Sequence, residues 1–386
     1  MSVFGPITPL ILLMTIILGA AQFVSDVRRS DGLRISPYEM IGRDFVNIWQ
    51  GGQMAAAGQS ARVYDRPAYR DDLKKNAGVT GIFAFSYPPH MLALSIPFGA
   101  LPYLSAMIIW SIVTLGLFVF AAKPWLNEAG LPLWTALLLP ATINNLASGH
   151  FGALIAALAL IGWRQAAHRP LLSGAAFALM TVKPHLGVLV PIILALRSRW
   201  HVIMIAGIGT LLLIAASALA LGPHIWLVWI KSTLPFQASL IGGIKPDVQY
   251  LRMMPTVERM VTGLGAVGTV SLIIQFGFAA AALGLLWRSW KAGADVATLG
   301  LFSTIATFLI LPYVFTYDMV AYDLAIIVLA ARYTAHLSHG EKALLGVAFL
   351  IPLINYPLAE RGFPFAPIFI LAALYILSIA SQKRPA

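Results

Sequence analysis

The sequence predicts an all-α polytopic integral membrane protein, on three observations. Of its 386 residues, 59% are hydrophobic and only 11% charged, whereas soluble domains carry about 25% charged and 45–50% apolar residues. Apolar runs recur from one end of the chain to the other. Basic residues gather at short turns between those runs. The length alone would allow two or three soluble domains, but so few charges cannot build their surfaces. The absence of cysteine excludes disulfides, thiolate metal sites and cysteine nucleophiles.

In chain order, the apolar runs cover 5–23, 88–101, 103–122, 132–147, 151–163, 170–181, 184–196, 201–221, 263–287, 296–312, 313–331, 343–357 and 364–382. A full span needs about 20 residues, so several of these are too short to cross alone, and about 10–13 transmembrane or re-entrant helices are expected. Thr181-Val182-Lys183-Pro184-His185 interrupts the stretch between Arg169 and Arg197, and Asn144-Asn145-Leu146-Ala147-Ser148-Gly149-His150 interrupts the one before it. Two short helices meeting at a polar break explain each case, since irregular backbone and charge at membrane depth are tolerated only around an enclosed or watery cavity.

The charges divide by position. Residues 24–86 hold nine basic and seven acidic side chains. Elsewhere, basic pairs flank the runs: Arg164/Arg169, Arg197/Arg199, Arg288/Lys291, Arg332/Lys342 and Lys383/Arg384. Their bias is the positive-inside signature, which puts these turns in the cytoplasm. The net charge of +11 is therefore a topology signal and not a nucleic-acid footprint. The chain reads as a single membrane domain over 1–386, with 24–86 as the first extracytoplasmic loop and 222–262 as the second. Parity leaves one of the four runs between 87 and 164 unable to span, and 88–101, bounded by prolines, is the expected exception. The first run lacks a basic flank and a small-residue cleavage site and is not read as a cleaved signal. His90, Trp125, Trp134 and Trp226 read as interfacial. No internal repeat is visible.

Two helices are expected in the first loop. One starts around Asp44 and closes at Gly58, with Phe45, Ile48 and Trp49 on its buried stripe. The other runs from Pro67 to about Asn76 after Val63-Tyr64-Asp65-Arg66. Asp44 itself stands where an N-cap carboxylate would, and on the residues alone that reading is preferred to a chemical role.

The order Gly42-Arg43-Asp44-Phe45…Trp49, Val63-Tyr64-Asp65, Tyr87-Pro88-Pro89, Asn145…Ser148-Gly149-His150, Lys183-Pro184-His185 and Pro312-Tyr313…Tyr317-Asp318 resembles family 87 of the membrane glycosyltransferases. That family includes mycobacterial mannosyltransferases of phosphatidylinositol mannoside synthesis. The resemblance implies the GT-C fold, a helical first extracytoplasmic loop, and a polyprenyl-phosphate sugar as donor. It departs at His150, where members usually carry glutamine.

What the resemblance implies for the site is chemically coherent. An acidic residue in the first loop acts as general base on the acceptor hydroxyl, which here is Asp44. The leaving lipid phosphate needs positive charge and hydrogen-bond donors more than a proton. Lys183, His185 and Arg252 are the expected phosphate ligands. His150, Tyr317, Asp318, Asn145 and Trp49 are the expected sugar or acceptor contacts, with Asp318 alternatively a partner for Lys183. Asp323, one turn deeper, reads as structural. The 222–262 loop adds Lys231, Lys245, Arg252 and Arg259 with Asp247 and Glu258. No metal or cofactor is expected, because no His-x₃-His or Asp-x-Asp cluster appears in the outer loops; Asp71-Asp72 reads as surface charge.

The function expected is an inverting transfer of a hexose, mannose favoured, to a lipid or glycan acceptor on the periplasmic side. The alternative is a transporter or flippase, which also uses broken helices and a midplane lysine, although no repeats accompany them here. A purely structural envelope subunit has no positive feature in its favour.

Overall fold

The computed structural model describes residues 3–240 and 249–383. The first apolar run forms α1 (Thr8–Arg29), whose 22 residues reach about 33 Å at 1.5 Å per residue. A small antiparallel hairpin follows, β1 (Arg34–Ser36) and β2 (Glu39–Met40), pairing Arg34 with Met40 and Ser36 with Glu39. It is the one sheet among the described residues, and it turns the backbone so that Ile35 and Met40 are buried.

Both helices expected in the first loop form. α2 (Phe45–Ala56) stops before Gly58, whose φ of 73° lies in the left-handed region that glycine adopts without strain. α3 (Arg66–Ala77) starts at Asp65, whose side chain accepts a hydrogen bond from the Ala68 amide at 3.2 Å. α2 is buried on every side over Phe45–Gly52, not only along a stripe. It packs on α4 (Pro89–Gly99) where both helices carry glycine. A Cβ on Gly52 would collide with the Ser95 carbonyl, and one on Gly99 with the Gln53 amide. With 11 residues, α4 is too short to span, and so are α6 (Pro140–Ser148) and α7 (Gly152–Gln165) with 9 and 14 residues, so length alone does not single out the 88–101 run.

The remaining helices are α5 (Tyr103–Glu128), α6 (Pro140–Ser148), α7 (Gly152–Gln165), α8 (Pro170–Leu179), α9 (Val190–Leu196), α10 (Trp200–Leu221), α11 (Ile225–Leu240), α12 (Val257–Gly263), α13 (Thr269–Lys291), α14 (Val296–Ile310), α15 (Val320–Arg332), α16 (His339–Glu360) and α17 (Ala366–Ala380). Among the described residues, α1, α5, α10, α13 and α16 are long and apolar enough to cross a membrane. Their large apolar side chains point outward, Phe120 and Leu219 being 71% and 88% exposed, which water would not tolerate and lipid does.

The short helices have a common reason for being short. α6–α7, α8–α9 and α14–α15 are three hairpins, and their lower ends are tied together. Arg164 at the foot of α7 and Arg332 at the foot of α15 share the carboxylate of Glu128, at 2.5 and 3.1 Å. Both guanidinium groups also lie over the Trp125 ring. Trp125 is therefore buried beneath two arginines, and His90 is stacked on Trp226; Trp134 alone of the four is broadly exposed. Trp290 of α13 donates to the Leu196 carbonyl at the foot of α9 at 2.8 Å. The upper ends of the hairpins are the polar breaks at His150, Lys183 and Asp318. Each helix stops at a shared centre, not at the far membrane face.

Asp323 fixes one of these ends. Its carboxylate accepts a hydrogen bond from the Ala141 amide at 2.7 Å, satisfying the first turn of α6 from a neighbouring helix. The second long loop is helical where described, in α11 and α12. Lys245 and Asp247 lie outside the described residues. α11 folds back over the first loop: Trp229 donates to the Ser86 carbonyl at 3.3 Å, Ser232 to the Tyr64 carbonyl, and Arg66 covers the Phe236 ring.

Candidate active site

The chain around Asp44 is held in an uncommon shape. Arg43 has φ of 32°, a left-handed conformation that costs a non-glycine residue about 1–3 kcal/mol. It is kept there by its guanidinium, which donates to Asp26 at 2.6 Å and to the Ala147 carbonyl at 3.2 Å. The Asp44 amide donates to the Ser148 carbonyl at 3.0 Å, docking the first loop onto the end of α6. Gly149 makes that approach possible. Its φ is 58°, and a Cβ there would stand 2.6 Å from Cβ of Phe45 and 2.7 Å from the Gly42 carbonyl oxygen.

Asp44 occupies the cap position of α2 without capping it. Its own backbone is already helical, at φ −69° and ψ −18°, and its carboxylate accepts no hydrogen bond from the first turn. Burial pushes its pKa up to about 7. The Lys183 ammonium pulls the other way, while Asp318 and Glu39 add to the rise. A partly buried carboxylate with that value is half ionised near neutrality, which is the condition for a general base.

Lys183 lies in the break between α8 and α9. Pro184 excludes the helical region for the residue before it, and Lys183 adopts φ −137° and ψ 73°. Its Nζ donates to Oδ1 of Asp318 at 2.6 Å and sits 5.5 and 5.2 Å from the ring centres of Phe151 and Tyr317. Oδ2 of Asp318 accepts from the Phe315 amide at 3.2 Å. His150 is sandwiched between Phe151 and Tyr317, with ring centres 4.2 Å away on each side. Its Nε2 hydrogen-bonds the Tyr87 hydroxyl at 2.9 Å, and its Nδ1 is 3.8 Å from Asp318.

The structure thus brings together Asp44, His150, Lys183, Tyr317 and Asp318. His185 is adjacent, with a buried Nε2 that has no hydrogen-bond partner. Asn145 is part of the frame: its amide nitrogen donates to the Tyr317 carbonyl at 3.3 Å and its oxygen accepts from the Ala153 amide at 3.4 Å. Two expected residues lie apart. Trp49 donates to the Leu101 carbonyl at 2.9 Å and meets Tyr103 edge-on, so it joins α2 to the start of α5. Arg252 reaches Glu360 at 3.9 Å, although its neighbour Leu251 packs with Phe315 and Tyr317. Tyr87 enters the sequence reading only as the first residue of Tyr87-Pro88-Pro89, with no role assigned, and Phe151 does not enter it. For Tyr87 that motif is the signal, and for Phe151 its adjacency to His150. Among the described residues, no three His, Asp or Glu side chains are grouped as a metal would need.

Close backbone packing fixes the centre. A Cβ on Gly152, the first residue of α7, would overlap the Tyr317 carbonyl oxygen and stand 2.8 Å from Nδ2 of Asn145. Gly152→Ala should therefore force Tyr317 away from α7 and destabilise the protein by about 1–3 kcal/mol. Thermal unfolding in detergent measures this, and an unchanged transition would refute the packing.

The chain matches the model of glycosyltransferase family 87 over residues 85–312. No curated protein and no solved structure matches it. The matched segment is more than half of the chain and contains His150 and Lys183, while Asp44 and Asp318 flank it. With its helical membrane architecture of the GT-C type, the chain belongs to glycosyltransferase family 87.

Proposed function

We propose that the protein is an inverting glycosyltransferase of the bacterial inner membrane. It moves a hexose, mannose favoured, from a polyprenyl-phosphate donor to a lipid or glycan acceptor at the periplasmic face. The observation that carries this reading is the uncapped carboxylate of Asp44, with a pKa of about 7, within electrostatic reach of Lys183. Asp44 takes the proton of the acceptor hydroxyl as its oxygen bonds to the anomeric carbon. The bond from that carbon to the phosphate oxygen breaks, and polyprenyl phosphate departs as an anion. Lys183 exchanges Asp318 for the phosphate and stabilises the charge that develops there; His185 is the neighbouring donor.

A lipid donor is supported by an apolar cavity of about 250 Å³ beside Lys183, lined by Phe177, Met180, Thr181, Pro184, Ile203 and Ala206 among others. It lies between the α8–α9 hairpin and the lipid-facing α10, where an isoprenyl chain could lead away from the phosphate. The periplasmic orientation rests on the arginines at the feet of α7 and α15, at the opposite end from Asp44.

Purified protein in nanodiscs, given polyprenyl-phosphate mannose and envelope lipid extract, should release polyprenyl phosphate in an acceptor-dependent way. Sugar transfer from a nucleotide sugar, with none from any polyprenyl-phosphate sugar, would reject the donor.

A further inference from the structure

The row Tyr87–His150–Asp318–Lys183 crosses the centre of the site, and its outer member has no role in the transfer as described. Tyr87 is held on three sides. Its ring meets Phe85 and Phe151 edge-on, at 5.1 and 4.7 Å between ring centres, and its hydroxyl is 2.9 Å from Nε2 of His150. His150 cannot turn, because Phe151 and Tyr317 stack on both of its faces. Its Nδ1 has no hydrogen-bond partner and faces the Asp318 carboxylate from 3.8 Å. That carboxylate favours the proton on Nδ1, which leaves the lone pair on Nε2. The Tyr87 hydroxyl then donates to His150, and its own lone pairs are fixed in direction. Tyr87 keeps part of its surface open and lies close enough to Asp44 to feel its charge.

We infer that Tyr87 is a substrate-contacting residue whose oriented oxygen accepts a hydrogen bond from a hydroxyl of the transferred sugar. His150 is a positioning residue that acts only through it. This rests on the reading of the site as a glycosyl-transfer centre. It also gives a physical sense to histidine at position 150: a ring clamped by stacking aims a phenol more rigidly than a flexible side chain would.

The test is a double-mutant cycle on donor turnover, with kcat and KM measured separately. Tyr87→Phe, which keeps the ring and its packing, should lower kcat/KM by about 10- to 100-fold. His150→Leu should lose a similar factor, and Tyr87→Phe with His150→Leu should be no worse than either alone. His150→Gln, whose amide oxygen can accept from the Tyr87 hydroxyl, should recover most of the loss. Among monodeoxy sugar donors, one should be poor with the wild type and no poorer with Tyr87→Phe. Full kcat/KM in Tyr87→Phe, or losses that multiply in the double variant, would overturn the inference while leaving the donor reading standing. A wild type that turns over no polyprenyl-phosphate sugar would overturn both.

Discussion

Asp44→Asn is expected to lower turnover by about 10²- to 10⁴-fold, the usual contribution of a positioned general base, and to leave donor binding intact. The same substitution should make the protein more stable at neutral pH. In the folded protein burial lifts the Asp44 carboxyl to about 7, whereas in the unfolded chain it returns to the ordinary carboxylate range near 4. Between those two values the folded state binds a proton that the unfolded state does not. The ionised form is therefore a cost that is absent at acid pH and complete above about pH 7. Asparagine removes that cost. The melting temperature of Asp44→Asn should exceed that of the wild type, with a gap that grows as pH rises from about 4 to about 7. Wild-type kcat/KM should climb tenfold per pH unit below about 7 and level off above it. A profile that is flat across this range would remove Asp44 from the role.

Lys183→Met should be the most destabilising single change at the site. It leaves the buried Asp318 carboxylate with the Phe315 amide and a histidine 3.8 Å away as its remaining polar neighbours. Breaking a buried pair from one side costs about 3–5 kcal/mol, because the other charge stays behind uncompensated. Removing both charges, as Lys183→Met with Asp318→Asn, should restore most of that stability. It should not restore turnover, since the cation that faces the leaving phosphate is gone. Unfolding of the single and double variants in one detergent compares them directly. A Lys183→Met protein as stable as the wild type would mean that the 2.6 Å pair contributes nothing to the fold.

The parts of this architecture that were legible in the sequence are those written in local chemistry. Sparse charge and basic turns gave the membrane class. Gly58, Asp65 and Pro67 punctuate α2 and α3, so their ends were found within a few residues. Lys183-Pro184 announced a break inside an apolar stretch, and the break is there. What depends on contacts between distant residues was only partly legible. Lys183 and Asp318 are 135 positions apart, and their pairing was one of two readings of Asp318. For Asp44, the residues alone favour the cap and the family resemblance favours the chemical role; its helical backbone and uncapped first turn remove the first. Trp49 fitted both a buried stripe and a sugar platform, and its bond to the Leu101 carbonyl supports the stripe. The small β-hairpin was missed because strands of three and two residues carry no alternation to detect. The contact between Tyr87 and His150 spans 63 positions and left no trace in residue spacing.

The proposed reaction is a single displacement in which Asp44 takes a proton and forms no bond to the sugar. The anomeric configuration of the product, read by NMR after transfer from a polyprenyl-phosphate sugar of defined configuration, tests that most directly. An inverted product from the wild type, formed about 10²- to 10⁴-fold more slowly by Asp44→Asn, is the predicted result. A product that retains the donor's configuration would contradict it, because retention requires two displacements and a nucleophile where a base has been assigned.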